Sequence, residues 1–123
     1  MRNMSFSMTT EQVRRREKTV TRRLGWWDLQ PGTVLQAVEK AQGLKKGEHV
    51  KPICLIRVVS VKREQADAIL NYGPDGWDVV SDETAREGFP NLTPWQFLEM
   101  FCRVNGCGHL TLVTRIEFEY VDG

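Results

Sequence analysis

The segment 52–62 constrains the fold more than any other part of the chain, because it predicts a strand that is apolar on both faces. Its apolar residues fall on alternating sides: Ile53, Leu55, Val59 and Val61 on one, and Cys54, Ile56 and Val58 on the other. A strand with a solvated face alternates apolar and polar residues, so this pattern is typical of a central or barrel strand. The fold must therefore cover this strand from both sides.

Further strands are predicted over residues 4–8, 19–24, 33–40 and 110–121, and helices over residues 10–16, 64–71, 81–87 and after Thr93. The two kinds of element follow one another without a regular β-α-β rhythm. This order predicts an α+β fold, a small curled sheet or barrel with three or four short helices on its rim. A chain of 123 residues suits one domain, spanning residues 1–123.

Two helix starts carry capping signals. Thr9 and Gln12 have the spacing of a capping box, and so do Thr93 and Gln96, with Pro94 at the first helical position. The helix that begins after Thr93 is expected to bury one face, formed by Trp95, Leu98, Phe101 and Cys102.

The charge is unevenly distributed along the chain. Residues 1–63 carry a net charge of +9 and residues 64–123 a net charge of −8, which add to +1. Such asymmetry indicates either a face for a polyanion or two halves that interleave and pair their charges.

The composition argues against several classes of protein. No apolar run approaches the roughly 20 residues of a membrane span, and the N-terminus lacks a signal peptide's apolar core, so a cytoplasmic protein is expected. The three cysteines argue against a disulfide framework. Cys102, Cys107 and His109, completed by Cys54, do not have standard zinc spacing, and we predict no metal or other cofactor.

The segment 14–23 is the strongest candidate for a functional site, with six cations and one acid in ten residues. In an extended chain Thr21 and Arg23 point to one side and Arg22 to the other, and Lys18 can turn toward Thr21. A lysine near other cations loses its proton more readily, and a neutral lysine can activate a hydroxyl as a nucleophile. The alternative is a solvated basic face beside an edge strand.

These residues resemble the opening of an ASCH domain, a family of the PUA-like superfamily with the signature G-x-K-x-x-T-x-R. Lys18, Thr21 and Arg23 match three of its fixed positions, and Arg16 stands where the family has glycine. Downstream, the Glu87-Gly88-Phe89 segment and the helix after it resemble the family's E-G-F segment.

The resemblance implies a small PUA-like β-barrel of about five to six strands, with a cleft beside the basic strand and RNA or a modified nucleoside as ligand. Similar small ASCH proteins are amidohydrolases that remove the acetyl group of N4-acetylcytidine. By this resemblance Thr21 is the nucleophile, Lys18 its base, Glu87 an orienting or protonating group, and Arg23 a substrate contact.

Arg22, Trp26 and Phe6 complete the predicted substrate-binding residues. A tryptophan beside a cationic cleft can stack on a nucleobase, although Trp26 or Trp27 could equally pack in the core. The alternative to an enzyme is a module that binds RNA or a modified base without turnover. A ribonuclease and a regulatory protein with a degenerate site are weaker alternatives.

Overall fold

The computed structural model describes residues 1–41 and 43–122. These residues form five strands, three α-helices and one 3-10 helix. The strands are β1 (Asn3–Ser5), β2 (Val20–Arg23), β3 (Val34–Val38), β4 (Pro52–Gln65) and β5 (Leu112–Tyr120). The helices are α1 (Thr10–Arg14), α2 (Asp82–Arg86), α3 (Pro94–Asn105) and the 3-10 helix Ala66–Asn71. No helix in the described ranges is long and apolar enough to cross a membrane.

The five strands form one mixed sheet in the order β1-β3-β4-β5-β2. β1 runs parallel to β3, and the other neighbours are antiparallel. β4 lies at the centre, as its two apolar faces predict. The predicted α+β class is confirmed, whereas the sheet is open between its edge strands β1 and β2 instead of closing into a barrel. These edge strands have only three and four residues, and a cavity occupies the space between them.

Two hydrophobic clusters form the core. The first packs on the sheet and includes Met4, Phe6, Leu35, Ile56 and Phe118, and the second lies under α3 and includes Ile69, Phe97, Leu98, Phe101 and Val113. The predicted buried face of α3 is partly wrong. Trp95 is 39% exposed and packs edge-on against Trp77, and Phe97 is buried instead. Trp95 lies at the edge of the helical stripe that Phe97, Leu98 and Phe101 define.

One of the two predicted capping boxes forms. Thr93 and Gln96 exchange side-chain and backbone hydrogen bonds at the start of α3. At the start of α1 the Thr9 side chain makes no capping hydrogen bond. Gln12 Nε2 instead donates to the carbonyl of Gly88 at 3.2 Å. Gly88 has φ +99°, and a Cβ there would lie only 3.2 Å from the Gln12 side chain. This glycine therefore lets the end of α2 approach α1 closely.

The turn between α1 and β2 explains the glycine of the ASCH signature. Arg16 has φ 61°, in the left-handed region that glycine adopts at little cost. We expect Arg16→Gly to raise the free energy of unfolding by about 1 kcal/mol, because the strain at φ 61° disappears. The ion pair that Arg16 makes with Asp122 is exposed and contributes little. Urea denaturation measures the change.

Arg15→Gly is the matched control for this prediction. Arg15 has φ −84°, so glycine there only adds backbone freedom and is expected to lower stability by about 0.5–1 kcal/mol. Equal losses in both glycine variants would contradict a strained turn at Arg16.

Candidate active site

A cavity of about 200 Å³ opens between β1 and β2 and brings together the predicted site residues other than Trp26. Its polar lining includes Lys18, Thr21, Arg23 and Glu87. Its apolar lining comes mainly from α3 and the segment before it: Phe89, Phe97, Met100, Phe101 and Val104. The cavity therefore combines a reactive polar set with apolar side chains that a flat ring could contact.

The alternation of β2 decides which side chains face the cavity. Thr21 and Arg23 lie on the same side, and Arg23 Nε donates to Thr21 Oγ1 at 3.0 Å. The strand is anchored just before its first residue, where the Thr19 backbone N–H donates to Arg86 and the Thr19 carbonyl accepts from Phe118. Residues 18–23 are thus held firmly at the edge of the sheet.

Lys18 and Glu87 form a buried pair. Lys18 Nζ donates to Glu87 Oε1 at 2.9 Å and to the Glu87 carbonyl at 2.5 Å. Lys18 is 3% exposed and Glu87 2%. Burial lowers the pKa of the Lys18 ammonium below its usual value; Glu87 opposes this shift, while Arg23 and Arg22 add to it.

No hydrogen bond joins Lys18 to Thr21 in the described part of the chain. Two of the three ammonium donors of Lys18 go to Glu87, so one remains for another partner. The two side chains nevertheless line the same cavity, as the predicted catalytic set requires.

Arg22 is among the residues that line the cavity, and three carboxylates hold its guanidinium group. Its three guanidinium nitrogens donate to Glu64 at 3.3 Å, Glu83 at 2.6 Å and Glu87 at 2.8 Å, and its side chain is 1% exposed. Burial lowers the pKa of Arg22, but the three carboxylates outweigh it and raise the pKa. The guanidinium group of Arg22 is therefore engaged by carboxylates, and it holds Glu87 in place at the cavity.

A buried charge cluster behind the cavity was not predicted from the sequence. Arg22 and Arg115 are direct partners in the register of β2 and β5, where like charges repel. Glu83 resolves this repulsion because it accepts from both guanidinium groups. Both also lie over the Tyr72 ring, 5.0 and 5.1 Å from its centroid. Arg115 shares a strand face with the buried Val113, and that alternation was the available signal.

The predicted aromatic contacts separate into different environments. Phe6 lines the cavity but belongs to the core, and the Arg23 guanidinium lies over its ring at 4.8 Å. Trp26 lies outside the cavity, in an adjoining groove, and packs partly against the core. Trp27 is 63% exposed, with Arg63 over its ring. Of the two tryptophans, Trp26 is the one near the cavity.

The three cysteines are divided between the two hydrophobic clusters, and His109 is partly exposed. Cys54 packs against the first cluster, and Cys102 and Cys107 lie against the second at the end of α3. The His109 ring hydrogen-bonds Glu99. Within residues 1–41 and 43–122, no three His, Cys, Asp or Glu side chains are placed to hold a metal ion.

The fold and this site define a class of small α+β domains with a cleft beside a basic edge strand. The sequence matches no family model, and no curated protein sequence is significantly similar to it. An ASCH domain from Lactobacillus crispatus JV V101 is similar in structure, with a TM-score of 0.52 and 20% identity over 97% of this chain and 79% of that one. The fold is therefore that of an ASCH domain, as the sequence resemblance predicts.

A second solved structure supports the same fold. A protein from Enterococcus faecalis V583, described under the family name DUF984, has a TM-score of 0.62 and 17% identity over 94% of this chain and 68% of that one. At these identities the likeness concerns the fold, and the function has to be argued from the cavity itself.

Proposed function

We propose that this domain acts on a modified nucleoside and hydrolyses the amide of an N4-acylated cytidine. The observation that carries the proposal is the convergence of Lys18, Thr21, Arg23 and Glu87 on one cavity. A hydroxyl, an amine with a lowered pKa, a guanidinium and a carboxylate are the groups that acyl transfer needs.

In the proposed reaction Thr21 Oγ1 attacks the acyl carbon and its proton passes to a neutral Lys18 Nζ. The C–N bond then breaks, and the leaving N4 takes the proton from Lys18, which releases cytidine. Water attacks the resulting Thr21 ester, gives a proton to Lys18, and releases the carboxylic acid as the proton returns to Thr21. Water is the one reactant besides the substrate.

The surrounding charges suit this division of roles. Glu87 accepts from both Lys18 and Arg22, so it fixes the lysine next to the cavity. Arg23 donates to Thr21 Oγ1, and this hydrogen bond stabilises negative charge that develops on the hydroxyl oxygen. The terminal nitrogens of Arg23 can serve the oxyanion of the tetrahedral intermediate.

The size and lining of the cavity favour a single base as the bound group. Its volume of about 200 Å³ is below the roughly 300–1,000 Å³ of pockets that enclose drug-sized ligands. Phe89 and Phe101 offer apolar surface to a planar ring. A modified base with its acyl group fits this description better than a folded RNA segment does.

Recognition of a modified base without turnover is the second candidate. One observation favours it: Lys18 is paired with Glu87, and no hydrogen bond links it to Thr21 in the described residues. Catalytic hydrogen bonds are often long before substrate binds, so this geometry does not contradict hydrolysis.

Incubation of the purified protein with N4-acetylcytidine, followed by chromatography of cytidine and acetate, tests hydrolysis. We expect turnover that increases with pH, because Lys18 must be neutral, with a midpoint below pH 10.5 because its pKa is lowered from 10.5. Thr19→Ala is the control, since Thr19 contacts Arg86 outside the cavity. No turnover by folded wild type rejects hydrolysis, and calorimetric binding of N4-acetylcytidine then supports recognition.

A further inference from the structure

Arg23 differs from the other cations of the site because it has no carboxylate partner. Lys18, Arg22 and Arg115 each have a carboxylate oxygen within 4.0 Å, whereas Arg23 has none among the described residues. Its contacts are the hydrogen bond to Thr21 and the ring of Phe6. Arg23 is half-buried, and burial lowers its pKa to about 10, although the charge of Glu87 opposes the shift from beyond ion-pair distance.

The site as a whole has one cation more than it has carboxylates. With the partners of these groups included, the cations are Lys18, Arg22, Arg23, Arg86 and Arg115, and the carboxylates are Glu64, Glu83, Glu87 and Glu117. A charge removed from water is costly unless it is paired. The surplus at Arg23 therefore favours an anionic group on the ligand.

A groove next to the cavity provides the space for such a group. It has a volume of about 380 Å³ and is lined by Asn3, Ser5, Ser7, Arg23, Trp26, Lys40 and Ala41. Ser5, Ser7 and Arg23 also line the cavity, so the two spaces adjoin. The described lining of the groove contains two cations, two hydroxyls and no carboxylate.

We propose that this groove is a phosphate-binding subsite, so that the ligand is a nucleotide whose base enters the cavity. This proposal rests on the proposed function, which places the cytosine base in the cavity. One terminal nitrogen of Arg23 donates to a phosphate oxygen while the other serves the oxyanion, Lys40 adds a second positive charge, and the hydroxyls of Ser5 and Ser7 donate hydrogen bonds. Trp26 closes the groove, with Arg2 over its ring at 4.2 Å.

Calorimetric titration of cytidine, cytidine 5′-monophosphate and inorganic phosphate tests the subsite. We expect the monophosphate to bind about tenfold more tightly than cytidine at low salt, because charge-assisted hydrogen bonds to phosphate are gained. Lys40→Ala and Arg23→Gln are expected to reduce this advantage. Lys46→Ala is the control, because it removes the same charge from the neighbouring loop, outside the groove. This variant is expected to keep the tighter binding of the monophosphate.

The two proposals can fail separately. A tenfold advantage that depends on Lys40, in a protein that does not hydrolyse N4-acetylcytidine, supports the subsite and rejects the hydrolysis. Three results overturn the subsite, whatever the hydrolysis assay gives. Cytidine and its monophosphate bind equally, or the advantage of the monophosphate is unchanged in Lys40→Ala and Arg23→Gln, or none of the three probes binds.

Discussion

Replacing Thr21 with valine is expected to lower kcat for N4-acetylcytidine hydrolysis about 1,000-fold or more. Valine keeps the branched shape of threonine but replaces the attacking hydroxyl with a methyl group. Thr21 is 3% exposed in β2, so a side chain of the same shape should leave the strand in place. Steady-state kinetics of variant and wild type measure the effect, with thermal unfolding as the test of folding.

Two comparisons separate a nucleophile from a residue that only orients Arg23. Thr21→Ser keeps the hydroxyl and is expected to keep kcat within about tenfold, because only the methyl that restricts χ1 is lost. Thr19→Val makes the same replacement two residues earlier, outside the cavity, and is expected to retain activity. If Thr21→Val raises KM and leaves kcat unchanged, Thr21 binds substrate through Arg23 and is not the nucleophile.

The second large effect is expected for stability. Glu83→Ala should lower the free energy of unfolding by about 3–5 kcal/mol, because it leaves two buried guanidinium groups without a shared carboxylate. Glu83 accepts from Arg115 at 2.7 and 3.0 Å and from Arg22 at 2.6 Å, and its side chain is 4% exposed. Such a loss is a large share of the roughly 5–15 kcal/mol typical of a domain. Urea denaturation measures it.

Asp82→Ala is the control for this prediction. It removes the same charge from the same first turn of α2, but Asp82 is exposed, so the expected loss is about 0.3–1 kcal/mol. If the alanine variant does not fold, Glu83→Gln replaces it in the experiment, because glutamine keeps the shape of the glutamate side chain and removes its charge. A Glu83→Ala loss equal to that of Asp82→Ala would mean that the cluster contributes little.

The cluster also gives the stability a pH dependence. Burial opposes ionisation of Glu83, but hydrogen bonds and charge from Arg115 and Arg22 outweigh it and hold its pKa below the usual 4.5. The resulting stabilisation is therefore complete above pH 4.5 and is lost as the pH falls through the lower, folded-state value. This contribution disappears in Glu83→Gln.

Pairing between the two halves of the chain explains part of its uneven charge. Arg22 and Lys18 of the basic half meet Glu64, Glu83 and Glu87 of the acidic half. Exposed pairs repeat the pattern, as between Arg57 and Glu119. Pairing across the fold is one of the two alternatives that the charge asymmetry allows, and it accounts for these charges. Within the site, Arg23 is the exception.

Local sequence signals determined much of the fold and part of the site. The two apolar faces of residues 52–62 indicated the central strand, and Thr93 with Gln96 indicated the start of α3, because these signals act between residues close in sequence. The alternation of β2 likewise put Thr21 and Arg23 on one face. The K-x-x-T-x-R spacing therefore indicates the candidate site from the amino-acid sequence alone.

The tertiary structure alone decided which distant side chains meet. Lys18 and Glu87 are 69 residues apart, and their contact depends on the close approach of Gly88 to Gln12. The pairing of Arg22 with Arg115 depends on the register of β2 and β5, which then requires Glu83 between them. Local propensity carries no information about such contacts, because packing and the exclusion of water set them only when the whole chain has folded.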